Sequence, residues 1–218
     1  AKRESEQAKQ ASSSADIALY QPKEGEFSET GDKAAFAAIR LRAELPANMN
    51  PPSRVRRDMA VVIDKSHSQS RETLEGEVKL ALGIIRRMDP DERYVVLACD
   101  SACIAYPESG TSEVNAKAFA KTKAWLEQLR PGGASDIAGA LVDAANRLPQ
   151  AGTAQVVYVG DGSPSAGELS AESIADMAYP ALSEKAADLR LLGAGRTVDE
   201  VMFSALSRRL GAAYQAVL

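Results

Sequence analysis

Met59-Ala-Val-Val-Ile63 is an apolar run with no alternation, and this feature constrains the fold more than any other in the chain. A strand that is hydrophobic at every position has to be covered on both faces, which only a central position in a layered structure provides. Gln155-Val-Val-Tyr-Val159 has the same buried character, and Tyr94-Val-Val-Leu-Ala-Cys99 and Asp188-Leu-Arg-Leu-Leu192 read as two further strands. The segments between them carry apolar residues at helical spacing. Leu74, Val78, Ala81, Ile85 and Met88 run up to a stop at Asp89-Pro90, and Phe119, Thr122, Leu126 and Leu129 end before Pro131-Gly-Gly133. Ile137, Leu141, Ala144 and Leu148, then Ile174, Met177, Ala178 and Leu182, and finally Val198, Met202, Leu206 and Leu210 complete the helical set, with Ala212 to Val217 as a closing strand.

Strands alternating with helices predict a doubly wound, Rossmann-like α/β fold. Its central sheet is mostly parallel, with helices on both faces. Cys103-Ile-Ala-Tyr106 is placed to fold back on the second strand as an antiparallel edge hairpin. The N-terminal part reads differently. Residues up to about Ser14 are polar and read as a linker. Ile17 to Tyr20 and Ala34 to Leu45 read as two neighbouring strands, ahead of a break at Pro46, Pro51 and Pro52. The expected division is 1–33 as linker and short strand, and 34–218 as the α/β domain.

Composition removes several function classes. With 26 basic and 30 acidic residues the formal charge is −4, so no broad footprint for nucleic acid or an anionic membrane is present. No apolar run approaches the roughly 20 residues needed to span a bilayer, and the first thirty residues have no signal-peptide core. The chain begins without Met, which reads as a fragment or a processed product. A single histidine, His67, and two cysteines, Cys99 and Cys103, leave little material for a Cys/His zinc site or a histidine-dependent protease triad. Any metal would therefore have oxygen ligands.

Oxygen ligands are concentrated where an open α/β sheet places its ligand site, just beyond the carboxyl ends of the strands. Asp64-Lys-Ser66-His-Ser68 follows the first central strand and Gly160-Asp161-Gly162 follows the third. Gly132-Gly-Ala-Ser135-Asp136 precedes a helix between them. Asp64, Ser66 and Ser68 alternate with Lys65 and His67, so a loop curling around an ion can turn its oxygens inward and its other side chains out. Two carboxylates, three hydroxyls and water suit an octahedral Mg2+ site, with Mn2+ or Ca2+ as the alternatives.

Asp64-x-Ser66-x-Ser68, the Gly-Gly-(x)-Ser/Thr segment at 132–135 and the strand ending in Asp161-Gly162 resemble the metal-ion-dependent adhesion site of von Willebrand factor type A domains. The resemblance covers about residues 34–218. It implies that Asp64, Ser66, Ser68 and Ser135 coordinate the ion, with Asp161 coordinating directly or through water. It further implies that an Asp or Glu from a partner protein completes the shell. Three departures stand out: Ser135 occupies the usual threonine position, Ala134 is inserted after the glycine pair, and Gln69-Ser70 stands where Met and Gly are frequent. Residues 18–26 resemble the junction in proteins where a vault/inter-alpha-trypsin-type domain precedes the A domain. This implies an upstream domain and leans toward a cell-envelope or extracellular location.

Competing readings accompany these expectations. Ser135 and Asp136 also suit a helix cap. His67 reads as a solvent-facing loop residue, Trp125 as packing, and Arg54, Arg56 and Arg57 as a solvated edge. Cys99 and Cys103 read as two small buried hydrophobes, with a disulfide as the alternative. For function, a non-enzymatic, metal-dependent protein-binding module leads. A metal-independent assembly domain and a Mg2+-dependent phosphotransferase of haloacid-dehalogenase type, with Asp64 as nucleophile, are the alternatives. The last of these wants a second Asp where this chain has Ser66.

Overall fold

The computed structural model describes residues 12–20, 36–44, 56–149, 153–195 and 197–217. The chain forms two compact units, Ala1–Arg54 and Val55–Leu218. In the first, β1 (Ser12–Tyr20) pairs antiparallel with β2 (Phe36–Glu44), from Ser12 opposite Glu44 to Tyr20 opposite Phe36. Both expected strands form, and the first is longer than its apolar stretch suggests. Every added position from Ser12 onward finds a partner on β2, so Ser12–Ser14 belong to the strand and not to a linker. The proline break and Arg54 lie outside the described residues.

The second unit runs β3 (Arg57–Asp64), α1 (Arg71–Arg86), β4 (Arg93–Cys99), β5 (Cys103–Tyr106), β6 (Ser112–Glu113), α2 (Ala116–Leu126), α3 (Ile137–Arg147), β7 (Thr153–Gly160), α4 (Ala171–Glu184), β8 (Asp188–Gly193), α5 (Glu200–Leu210) and β9 (Ala213–Ala216). The sheet order is β5-β4-β3-β7-β8-β9, with β6 also on β4. All pairings are parallel except those of β5 and β6 with β4. The expected doubly wound α/β architecture is what the chain adopts.

Burial explains why β3 is central. Met59, Val61 and Ile63 join Leu74, Val78, Ala81 and Ile85 of α1 on one face, while Ala60 and Val62 join α3, α4 and α5 on the other. Each fully buried Val or Ile contributes about 1.5–3 kcal/mol relative to exposure, so a run apolar at every position is stable nowhere else. Helix stripes follow the same logic with one exception. Ile174, Ala178 and Leu182 of α4 are buried at i, i+4 and i+8, but Met177 is 48% exposed and falls outside the stripe. Phe203, which no stripe included, is fully buried against Tyr158 and Tyr214. Trp125 packs beside Tyr106, as expected of a packing residue.

Two features of the topology create the site. β3 and β7 are adjacent and parallel, yet the helices that follow them, α1 and α4, cover opposite faces of the sheet. The two connections therefore separate above the strand ends and leave a crevice there. Asp64 closes β3, and Asp161 directly follows β7. A third loop, the approach to α3, enters the same rim.

Candidate functional site

Asp64 is 2% exposed and held on both oxygens. Its Oδ1 accepts the Ser66 N–H at 2.8 Å, the turn expected when an aspartate ends a strand and the chain must bend at once. Its Oδ2 accepts two hydroxyls, Ser135 Oγ at 2.8 Å and Tyr158 Oη at 2.9 Å. Approach of Asp64 to β7 depends on Gly160, where an added Cβ would lie 2.6 Å from the Asp64 Cβ.

The other expected residues converge on the same place. Ser66 is buried, Ser68 exposed, and their Oγ atoms lie 3.0 Å apart. The Ser68 hydroxyl also hydrogen-bonds the Asp161 carboxylate. Asp161 is buried, and its Oδ1 accepts the Ser163 N–H at 2.9 Å. Burial pushes its carboxyl above the ordinary range, the Ser163 N–H and Ser68 hydroxyl oppose that rise, and the charge of Asp64 adds to it. Lys65 and His67 turn away as the alternation requires. Lys65 pairs with Asp100, and His67 is exposed. Asp100 would be raised by its burial, but the Lys65 ammonium and the Ala102 N–H outweigh this and hold it below the usual carboxylate range.

Ala134, the insertion after the glycine pair, does not displace Ser135. Gly133 adopts φ +80, a conformation open to glycine, and the segment is tied at both ends. His67 N–H donates to the Gly133 carbonyl and Gly132 N–H to the Lys65 carbonyl, each at 2.8 Å. The Ser135 N–H donates to Ser165 Oγ at 2.9 Å, while the Ser135 carbonyl accepts the Ser165 and Ala166 N–H groups. The two residues read as a helix cap divide the work: Asp136 caps α3 through the Gly139 N–H, and Ser135 faces Asp64.

Several site residues escaped the sequence reading. Tyr158 sits within an uninterrupted apolar run that marks it as core, and its bond to Asp64 depends on sheet register. Glu77 lies on the buried face of α1 at 1% exposure, and neither of its oxygens has a hydrogen-bond partner; nor does Nε2 of the buried Gln69. Burial pushes the Glu77 carboxyl up to about 10, with the negative charges of Asp64 and Asp161 adding to the rise. A polar residue inside the otherwise apolar stripe of α1 was the available signal. The cysteines correct an expectation: Cys99 and Cys103 are not separate hydrophobes but a disulfide. The β4–β5 register sets them directly opposite one another at the hairpin's end, where pairing is the natural outcome.

The donor set fits a divalent cation. Among the described residues, Asp64 and Asp161 are buried carboxylates with no ion pair; their partners are hydroxyls and backbone N–H groups. Carboxylate and hydroxyl oxygens of this kind are the donors that a hard divalent cation takes. No group of three or more His, Cys, Asp or Glu side chains among the described residues forms a metal cage, so an ion here would depend on the serine hydroxyls.

The fold and rim define an open α/β domain with an acidic, hydroxyl-rich site at its topological switch point. In solved structures this is the von Willebrand factor type A fold. A von Willebrand factor type A protein from Catenulispora acidiphila superposes with a TM-score of 0.62 at 16% identity, over 94% of this chain and 46% of that one. An aerotolerance-related membrane protein from Bacteroides fragilis, carrying multiple mutations to serine, gives 0.57 at 17%, over 74% and 91%. The pilus adhesin SpaC from Lactobacillus rhamnosus GG gives 0.56 at 13%, over 93% and 32%. No protein-family model and no curated protein sequence matches this chain. Among the described residues no helix is long and apolar enough to cross a membrane.

Proposed function

We propose that the unit 55–218 is a metal-ion-dependent protein-binding module of adhesion type, and not an enzyme. One observation carries the reading: two buried carboxylates that pair with no basic side chain among the described residues, Asp64 and Asp161, meet the hydroxyls of Ser66, Ser68 and Ser135 on one rim. These five residues would hold the ion, Mg2+ by preference with Mn2+ or Ca2+ as substitutes. The ion would supply a Lewis-acidic position for an Asp or Glu carboxylate of a partner protein. Tyr158 and the Ser66 N–H orient Asp64, and Ser163 orients Asp161. The presence of a pilus adhesin among proteins of this fold supports an interaction role.

Phosphotransfer is less well supported, because Ser66 stands where that chemistry wants a second aspartate and Ser163-Pro-Ser165 stands where it wants a further acidic residue beyond Asp161. A cell-envelope or extracellular location is part of the proposal, and the Cys99–Cys103 disulfide supports it, since such bonds persist in oxidising compartments. A vault/inter-alpha-trypsin-type domain ahead of this unit rests on the resemblance of residues 18–26.

Isothermal titration of the metal-stripped chain with Mg2+ and Mn2+ tests the reading. Saturable binding that disappears in Asp64→Ala is the expected result. Absence of binding to the wild-type chain overturns it and leaves a metal-independent assembly role.

A further inference from the structure

The turn between β4 and β5 is closed by a covalent bond, and the loop so formed, residues 99–103, is built into the rim. The Cys99 carbonyl accepts the Lys65 N–H at 2.8 Å. The Asp100 carboxylate pairs with the Lys65 ammonium, and the Asp100 carbonyl accepts the Asp136 N–H at 3.1 Å. The Asp100 side chain also fills the space beside Gly133, where an added Cβ would come within 2.7 Å of it. Lys65 lies between Asp64 and Ser66, and Asp136 follows Ser135. Two of the three loops carrying the proposed ion ligands are thus fastened, one residue away from a ligand, to the disulfide-closed turn.

We propose that the Cys99–Cys103 bond is a redox control on the ion site: closed, it fixes Asp100 and through it the Ser66 and Ser135 loops, and opened, it releases them. The proposal rests on the reading of this rim as a divalent-cation site and adds regulation to it. Closing a turn covalently removes conformational freedom that Asp100 would otherwise have to overcome each time it meets Lys65 and Asp136. Ser101 and Ala102 at its tip are exposed and contribute little packing of their own.

The chemistry is ordinary thiol–disulfide exchange with an external dithiol, such as a dithiol oxidoreductase, as reductant. Cys103 is half-buried and Cys99 is 3% exposed, so Cys103 is the accessible end. A thiolate of the reductant attacks Cys103 Sγ, the bond to Cys99 Sγ breaks, and Cys99 leaves as a thiolate that takes up a proton. The second thiol of the reductant resolves the mixed disulfide and releases Cys103 as a thiol. Two electrons pass to the protein, and the reductant ends as a disulfide. In a reducing compartment the site would be loose, and on reaching an oxidising one it would tighten.

The test compares the whole chain in three forms: oxidised, reduced in the folded state by a phosphine, and the Cys103→Ser variant without reductant. Mn2+ affinity and hydrogen exchange at the Lys65 and Asp136 amides are followed in each. Oxidised protein should bind Mn2+ at least about tenfold more tightly than the other two, the range expected for loss of groups that orient ligands. Both amides should exchange faster once the bond is open, while amides of β7 stay protected. Reoxidation should restore affinity. Equal Mn2+ affinity in oxidised and reduced protein overturns the redox control while leaving the ion site intact. Absence of Mn2+ binding in every form overturns the site reading and this proposal together.

Discussion

Tyr158 Oη donates to Asp64 Oδ2 at 2.9 Å, so a fully buried phenol on β7 holds the carboxylate that ends β3. The Tyr158 hydroxyl is raised well above its ordinary value by burial first and then by the Asp64 charge, which keeps it protonated and able to donate. Tyr158→Phe removes this donor and leaves Ser135 alone on Oδ2. Loss of a buried hydrogen bond to a charged acceptor should cost about 1.5–3 kcal/mol. Urea unfolding in the absence of divalent ions measures it, and an unchanged midpoint would show that the bond contributes nothing.

Ser135 supplies both a donor to Asp64 and, in the proposed function, a ligand to the ion. A ligand that binds only the folded state stabilises it by mass action, so saturating Mg2+ should raise the unfolding midpoint of the wild-type chain. In Ser135→Ala that increment should shrink, with affinity reduced by about tenfold or more, whereas Ser135→Thr, which keeps the hydroxyl, should retain most of it. Equal Mg2+ responses in Ala and Thr variants would remove Ser135 from the ligand set.

Legibility from sequence follows the range of the interaction concerned. β3, β4 and β7 could be read because burial on both faces leaves uninterrupted apolar runs, and Asp64 and Asp161 because they sit at the ends of those runs. The Tyr158 bond to Asp64 could not be read, since Tyr158 differs from its core neighbours by one oxygen whose partner is set by the β3–β7 register. The cysteine pairing was open for the same reason: spacing permits it, and the β4–β5 register decides it. Met177 was misplaced because it adjoins the true stripe of Ile174, Ala178 and Leu182, and β6 because two residues carry no periodicity. Glu77 was passed over because its helix stripe is otherwise apolar.

Glu77 should make stability pH-dependent. Its folded pKa is raised from 4.5 to about 10, so the folded state holds a proton that the unfolded state releases above about pH 4.5. The stability associated with that proton is complete below 4.5 and is lost progressively as pH rises toward 10. Glu77→Gln keeps the shape without the ionisation. In metal-free buffer the variant should gain on wild type as pH rises from 5.5 to 9, reaching at least about 1 kcal/mol. Parallel stability curves for the two proteins across that range would show that Glu77 does not carry the effect.

Gly160 ends β7 against Asp64, and its role is steric. A Cβ there would lie 2.6 Å from the Asp64 Cβ, and less tightly against Tyr158, with the phenol oxygen at 3.0 Å and a ring carbon at 3.1 Å. Replacing glycine by alanine in a compatible backbone usually stabilises by about 0.4–1 kcal/mol through the unfolded chain. Forcing atoms into a packed core costs about 1–3 kcal/mol, so the clash outweighs the gain and Gly160→Ala should be net destabilising. Because the displaced groups are Asp64 and Tyr158, the same variant should also lose Mg2+ affinity, whereas Gly83→Ala, with open space around its Cβ and no positive φ, should leave that affinity intact. Calorimetric titration of the two variants separates a local effect at the rim from general loosening, and retained wild-type affinity in Gly160→Ala would mean that Asp64 is not among the groups that hold the ion.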